Sequence, residues 1–192
     1  NTRKITKTME MVSTAKMKKM QTRLQMSKPY SEKIDRIIAH LRDSGVDDVV
    51  DPLLQERADP KRILVIMVTG NRGLCGGFNT NVIDNTLNFK NRLVIEEGKE
   101  VLLYVVGKKG NSFLKFIKEP VYKVAQNLED KLTFNDASAI GAELISLFLN
   151  GEVDEVYLSS TKVVSTSSQK PAIQRILPVT PDRTEVEQSG SE

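Results

Sequence analysis

From Ile5 to Leu41 the apolar residues step by three and four: Ile5, Met9 and Val12, then Met20 and Leu24, then Ile34, Ile37, Ile38 and Leu41. Such spacing draws one stripe along a helix, and it predicts a single helix over residues 1–44, roughly 65 Å long at ~1.5 Å per residue. Thr8, Ser13 and Lys16 interrupt the stripe in its first half. A thin stripe with a period of about 3.5 suits a coiled-coil seam better than a wide face laid on a core. Its seam residues are Ile5, Val12, Met20, Leu24, Ile34, Ile38 and Leu41. Met9, Met11, Met17, Met20 and Met26 crowd the same half, either as an adaptable contact surface or simply as helix formers filling the seam. Pro29 removes a backbone bond and clashes with the Gln25 carbonyl, at roughly 3 kcal/mol in a helix interior. A kink or short break is therefore expected there, with the helix resuming at Ser31 and stopping at Gly45. Asp47, Asp48, Asp51 and Pro52 then make a polar exit. Packing, not propensity, stabilises such a helix, and residues 53–192 hold no second heptad segment of that length. The seam's partner is expected in another chain or in a further part of this one.

Beyond Pro60 the pattern becomes that of an α/β unit. Arg62–Thr69 is a continuous apolar run bounded by Pro60 and Gly70, as in a strand buried on both faces. A helix from about Asn79 to Glu97 closes at Gly98, Val101–Val106 reads as a second buried strand, and a helix is expected over Asn111–Lys118. Val121–Val124 reads as a short edge strand. Thr133 or Asn135 is positioned to cap a helix that runs to Asn150 and ends at Gly151. Val153–Ser160, Lys162–Thr166 and Ala172–Val179 read as strands, the last two joined through Ser165–Lys170 as an antiparallel extension. The fold class is thus α/β: a long N-terminal coiled-coil-type helix, then a Rossmann-like three-layer domain with a mostly parallel sheet. The expected domains are 1–58 for the helix and exit, 59–182 for the α/β unit, and 183–192 for a polar tail. The chain starts with Asn and stops in a polar stretch, so both ends are expected to be cut.

Charge sharpens this division. Residues 1–28 hold eight basic residues and one acid, Glu10, a net +7, which leaves 20 basic and 24 acidic residues, −4, for the rest. With 39% hydrophobic and 28% charged residues the composition is globular. The longest apolar run, Ile63–Val68, is strand-sized and far short of a membrane span. A single cysteine, Cys75, excludes an internal disulfide framework and a multi-cysteine metal site.

Catalytic chemistry finds little support in the residues. The loop Thr69–Asn79 lies where α/β folds bind phosphate, but it lacks the Gly-Lys-Ser/Thr of a P-loop, and Gly73-x-x-Gly76-Gly77 is not G-x-G-x-x-G. Those glycines are read as serving a sharp turn and close packing. His40, the single histidine, is read as a solvated residue of the long helix, and Cys75 as inert without a second histidine or cysteine beside it. Glu96, Glu97, Asp130, Asp136, Asp154 and Glu155 fall at element ends, where charge is usually solvated. No catalytic, cofactor or metal residue is assigned. A basic helix also suits nucleic acid or an anionic membrane, but no aromatic residue lies between Asn1 and Pro29 to stack or anchor. Nor is it the Arg/Ser-rich helix of an organelle targeting peptide.

Two segments carry a resemblance: Lys4-Ile5-Thr6-Lys7-Thr8-Met9-Glu10-Met11-Val12 with Ala15-Lys16-Met17, and Arg72-Gly73-Leu74-Cys75-Gly76-Gly77-Phe78-Asn79. Together with Lys28-Pro29-Tyr30 and Gln169-Lys170-Pro171 they resemble the gamma-subunit family of F-type ATP synthases, over essentially all 192 residues. Lys28-Pro29-Tyr30 and the lack of an insert with paired cysteines look bacterial. The resemblance implies a non-catalytic rotor shaft, with a C-terminal helix beyond this chain winding antiparallel around the first. It also implies partners: the alpha and beta subunits, the epsilon subunit and the c-ring, with no nucleic acid and no insertion into the membrane. The location it implies is peripheral, on the cytoplasmic side of a bacterial membrane. Lys4, Lys7, Met9, Lys16, Lys18 and Lys19 are then the expected contacts to the alpha/beta hexamer, whose bore carries an acidic loop in this family.

Overall fold

Five consecutive residues, Ile63 to Met67, are buried in a strand only seven residues long, β1 (Arg62–Val68). A strand exposes alternate side chains on opposite faces, so burial of every one requires a layer on each side. The computed structural model supplies both layers. It describes residues 2–43, 51–125, 133–165 and 168–179, without the side chains of residues 28, 30–32, 34–35 and 38–43. By contacts the chain divides into two units, residues 1–48 and 49–192.

The second unit is a sheet with helices on both faces. After β1 come α2 (Phe78–Ile95), β2 (Glu100–Val106), α3 (Lys108–Phe116), β3 (Lys123–Val124), α4 (Phe134–Leu149), β4 (Glu155–Val163) and β5 (Gln169–Leu177). Strand order is β3-β2-β1-β4-β5, parallel except for β5, which runs antiparallel to β4. Ile63, Val65 and Met67 face α2 and α3, meeting Val82, Phe89, Leu93 and Leu114. Leu64 and Ile66 face the other way, toward Leu144, Leu147 and Phe148 of α4. Each fully buried aliphatic side chain contributes about 1.5–3 kcal/mol. The three-layer, mostly parallel architecture is the expected one.

Some boundaries differ. The two expected strands over 153–166 are one, because Thr161 and Lys162 stay in register with Pro171 and Lys170 of β5. The third helix starts at Lys108, three residues before Asn111, since Gly107 turns with φ 101 and supplies its N-cap. Between Thr133 and Asn135, Thr133 is the cap of α4. Its hydroxyl accepts from Asp136 N, while the Asp136 carboxylate accepts from Thr133 N at 2.8 Å. That reciprocal box satisfies two otherwise orphaned donors.

The first unit is built on one helix, α1 (Thr2–Asp43), 42 residues or about 63 Å. Of the expected kink or short break at Pro29 there is no break: the helix runs through, and no new start occurs at Ser31. The missing proline N–H removes one bond of the ladder while the neighbouring turns keep theirs. Thr6, Thr8 and Thr22 hydroxyls donate to carbonyls four residues back, so Thr8, one of the polar interruptions of the stripe, is satisfied within the helix. The expected stop at Gly45 and the exit through Asp47 and Asp48 lie outside the described residues.

Candidate functional site

On α1 the expected contact residues are all exposed: Lys4, Lys7, Met9, Lys16, Lys18 and Lys19. At about 100° per residue they do not share one face. Lys4, Lys7 and Lys18 lie on one side, and Lys19 lies on the flank. Met9 and Lys16 fall on the opposite side, among the seam residues Ile5, Val12 and Met20. The seam is apolar yet open, with Ile5 60%, Val12 50%, Met20 49% and Leu24 53% exposed. The side chains of Ile34, Ile38, Leu41 and His40 lie outside the described residues. What α1 offers chemically is therefore a lysine-bearing back and an apolar front broken by Lys16 and Arg23.

In the body, the loop after β1 is a structural junction. Gly70 N donates to Asn79 Oδ1 at 2.8 Å, and Asn79 Nδ2 donates to Arg72 O at 3.1 Å and to Cys75 Sγ at 3.2 Å. One buried asparagine in the first turn of α2 thus holds the loop closed. Leu74 and Gly76 take left-handed backbone, φ 59 and 58. The amides at the start of α3, a possible anion cradle, are already occupied. Lys108 N donates to Asn71 Oδ1, Lys109 N to Gly70 O and Gly110 N to Thr69 Oγ1. A Cβ on Gly107 would lie 2.2 Å from Thr69 O, so this approach requires glycine. The glycines serve the turn and close packing, and Cys75 is a free, exposed thiol beside them.

The acids at element ends divide into two kinds. Asp136 is an exposed helix cap whose carboxyl is held low by the Thr133 hydroxyl and amide. Asp154 and Glu155 depart from the solvated-charge expectation. Asp154 Oδ1 pairs with Arg57 Nη1 at 2.6 Å, and its Oδ2 accepts from Lys61 N and Arg62 N at 2.8 Å each. Burial opposes its charge, but these donors prevail and lower its pKa. Glu155 accepts from Arg175 Nη1 at 3.2 Å and from the Tyr157 hydroxyl at 3.0 Å. The partners of Asp154 lie 92 to 97 positions away in the chain, which is why sequence spacing could not reveal them. Asp130 lies outside the described residues.

Among the described residues, two cavities of the body stand out. A groove of about 950 Å³ beside β3 is lined by Tyr104, Asn111, Lys115, Tyr122, Lys123 and Glu143 among others. Inside it Lys123 pairs with Glu143 at 2.5 Å and the Tyr104 hydroxyl donates to Glu143 at 3.2 Å. Burial and the Glu143 charge push the Tyr104 phenol up, away from proton exchange at neutral pH. A smaller one, about 260 Å³, lies between the Cys75–Phe78 turn and Thr161, Gln169 and Pro171. Neither cavity holds a nucleophile with a base beside it. Among the described residues no cluster of three His, Cys, Asp or Glu could bind a metal ion, and no helix is long and apolar enough to cross a membrane.

Comparison with known proteins adds what geometry leaves open. A family model described as ATP synthase matches residues 1–192. The ATP synthase gamma chain of Saccharopolyspora erythraea is 37% identical over 193 residues, covering 93% of this chain and 62% of that protein. That of Cupriavidus pinatubonensis is 42% identical over 185 residues, covering 95% and 62%. The chain therefore spans about three fifths of the length of these curated relatives. Among solved structures, the central stalk and c-ring of the Tetrahymena thermophila mitochondrial ATP synthase includes a chain of the same fold. The match has a TM-score of 0.63 and 23% identity, covering 91% of this chain and 72% of that one.

Proposed function

The chain belongs to the family of ATP synthase gamma chains, and from that membership we propose that it forms part of the central rotor of an F-type ATP synthase, itself without catalysis or cofactor. The observation that favours this reading most is a 42-residue helix whose apolar seam is half open to solvent. Such a helix gains its stability from a partner laid along the seam, in this reading a second, antiparallel helix of the same rotor. Lys4, Lys7 and Lys18, on the back of the seam, remain free to meet acidic groups of the alpha/beta hexamer. Met9 and Lys16 lie within the seam itself, on the side opposite those lysines.

An asymmetric shaft presents a different face to each catalytic subunit at each rotary step. Differential contacts then shift each subunit among its conformations, and lysines facing carboxylates guide register without tight static binding. The body, in the same reading, rests on the c-ring with the epsilon subunit alongside, peripheral to the cytoplasmic side of a bacterial membrane.

A graft tests the proposal. The matched segment of the Cupriavidus pinatubonensis gamma chain is replaced by this chain, and ATP-driven proton pumping by the assembled synthase is measured. Pumping above that of a complex lacking gamma is expected. A graft that assembles with the hexamer and the c-ring but pumps nothing overturns the rotor assignment.

A further inference from the structure

Asn150 and Gly151 form the only Asn-Gly dipeptide of the chain, and every other asparagine is followed by a residue with a Cβ. The pairing matters because the backbone nitrogen after an asparagine is placed to attack that asparagine's own side-chain amide carbon. Glycine, without a Cβ, leaves this approach unshielded and its backbone free to turn. Most other asparagines lie inside regular elements: Asn79 to Asn91 in α2, Asn111 in α3 and Asn135 in α4. Asn150 instead is exposed and stands one residue past the end of α4. Helix ends open locally far more often than helix interiors.

The turn that closes α4 restrains this reaction. Gly151 N donates to Phe148 O at 3.1 Å and Glu152 N to Leu147 O at 2.9 Å, with Gly151 in left-handed backbone at φ 74. These are the paired bonds of a glycine-ended helix. The first of them occupies the very nitrogen that would attack. Asn150, at φ −74 and ψ −6, still continues the helical backbone. Arg57 Nη2 donates to the same Phe148 carbonyl at 2.8 Å, and the Leu147, Phe148 and Val153 side chains beside the turn are buried in the core facing α4. On the outside, Asn150 Nδ2 donates to Glu152 Oε1 at 3.5 Å.

We propose that Asn150 is the site of spontaneous deamidation in this chain, and that opening of the turn over residues 150–152 sets its rate. Once the turn opens, Gly151 N bonds to Asn150 Cγ and the side-chain nitrogen leaves as ammonia, taking up through water the proton that Gly151 N gives away. The product is a cyclic imide. Water then adds to one of its two carbonyls and breaks that carbonyl's bond to nitrogen, giving aspartate or isoaspartate. In the aspartate a carboxylate oxygen replaces the donor that faces Glu152, so two like charges meet at a helix end whose own dipole is negative. The isoaspartate lengthens the backbone by one carbon, and the two closing bonds of α4 lose their register. This chemistry belongs to the body by itself and stands apart from the rotor reading.

The experiment incubates the full chain at mildly alkaline pH, in buffer and in parallel in urea. Isoaspartate is labelled by enzymatic methylation and located by peptide mass spectrometry. In both samples Asn150 is expected to be labelled before any other asparagine. Labelling in buffer should be at least about tenfold slower than in urea, because the attack waits on local opening. Label that rises first at another asparagine overturns the site, and equal rates in buffer and urea overturn control by the turn. A Gly151→Ala chain in urea, where failure to fold has no bearing, should lose the lead of Asn150 over the other asparagines. A lead that persists without the glycine counts equally against the proposal.

Discussion

Leu24 and Leu64 are the same residue in opposite circumstances: 53% of the first is open to solvent and none of the second. In the body, the apolar strand β1 finds a facing layer on each side, and the two core clusters close around it. In α1 the apolar residues keep a helical, if interrupted, spacing, yet those described stay exposed. Periodicity therefore tells which face is apolar, while the covering of that face is a separate fact. The body carries its own stability, and the helix draws on whatever lies along its seam.

Hydrogen exchange breaks or keeps this contrast most directly. In the isolated chain the amides of β1, closed on both faces, should open only with global unfolding, whereas those of α1 should open locally. A difference in protection on the order of a thousandfold or more is expected between Ile63–Met67 and Ile5–Leu24. Comparable protection in the two regions would mean that α1 is stabilised without a seam partner.

The next largest effect concerns the body alone. Gly107→Ala would place a Cβ 2.2 Å from the Thr69 carbonyl at a backbone φ of 101, with no flexible atom to yield. A loss of about 3–5 kcal/mol in urea unfolding is expected. Gly98 has φ 64 but nothing within 4 Å of the same added atom, so Gly98→Ala should cost only about 1–2 kcal/mol. Equal costs would show that left-handed backbone, not close approach, sets the penalty. Neither change should alter the helicity of α1.

How much of this was legible beforehand depends on the range over which each interaction acts. The buried strands, the edge position of β3 and the Thr133 box follow from local chemistry, and the helix through Pro29 departs from it only because one lost bond does not stop a ladder. Gly110 misleads in isolation. It lies inside α3 and packs so close to β1 that a Cβ there would meet Met67 and Thr69 within 3.0 Å. The separation of Met9 and Lys16 from Lys4, Lys7 and Lys18 was present in the numbering and emerges once the helix is continuous. Arg57–Asp154 and Glu56–Arg175 were invisible, since partners 97 and 119 positions apart leave no local pattern.

Asp154 provides the smallest of these effects and sets the two regions apart by pH. Its folded pKa lies below the usual carboxylate range, because the Arg62 and Lys61 amides and the Arg57 guanidinium outweigh the cost of burial. A lowered folded value means that the unfolded chain binds the proton first. The stabilisation is complete above the ordinary carboxylate value and disappears as pH falls from there through the lower folded value. The urea midpoint of the body should therefore decline on acidification from about pH 5 to pH 3. Asp154→Asn should cost about 2 kcal/mol at neutral pH, the partial exposure of Arg57 holding it below the cost of a fully buried pair, and should flatten that decline. Residues 1–28 contain one acid, Glu10, so over the same range the helicity of that stretch of α1 should change far less. An acid transition as steep in Asp154→Asn as in the unsubstituted chain would assign the proton uptake to other carboxylates.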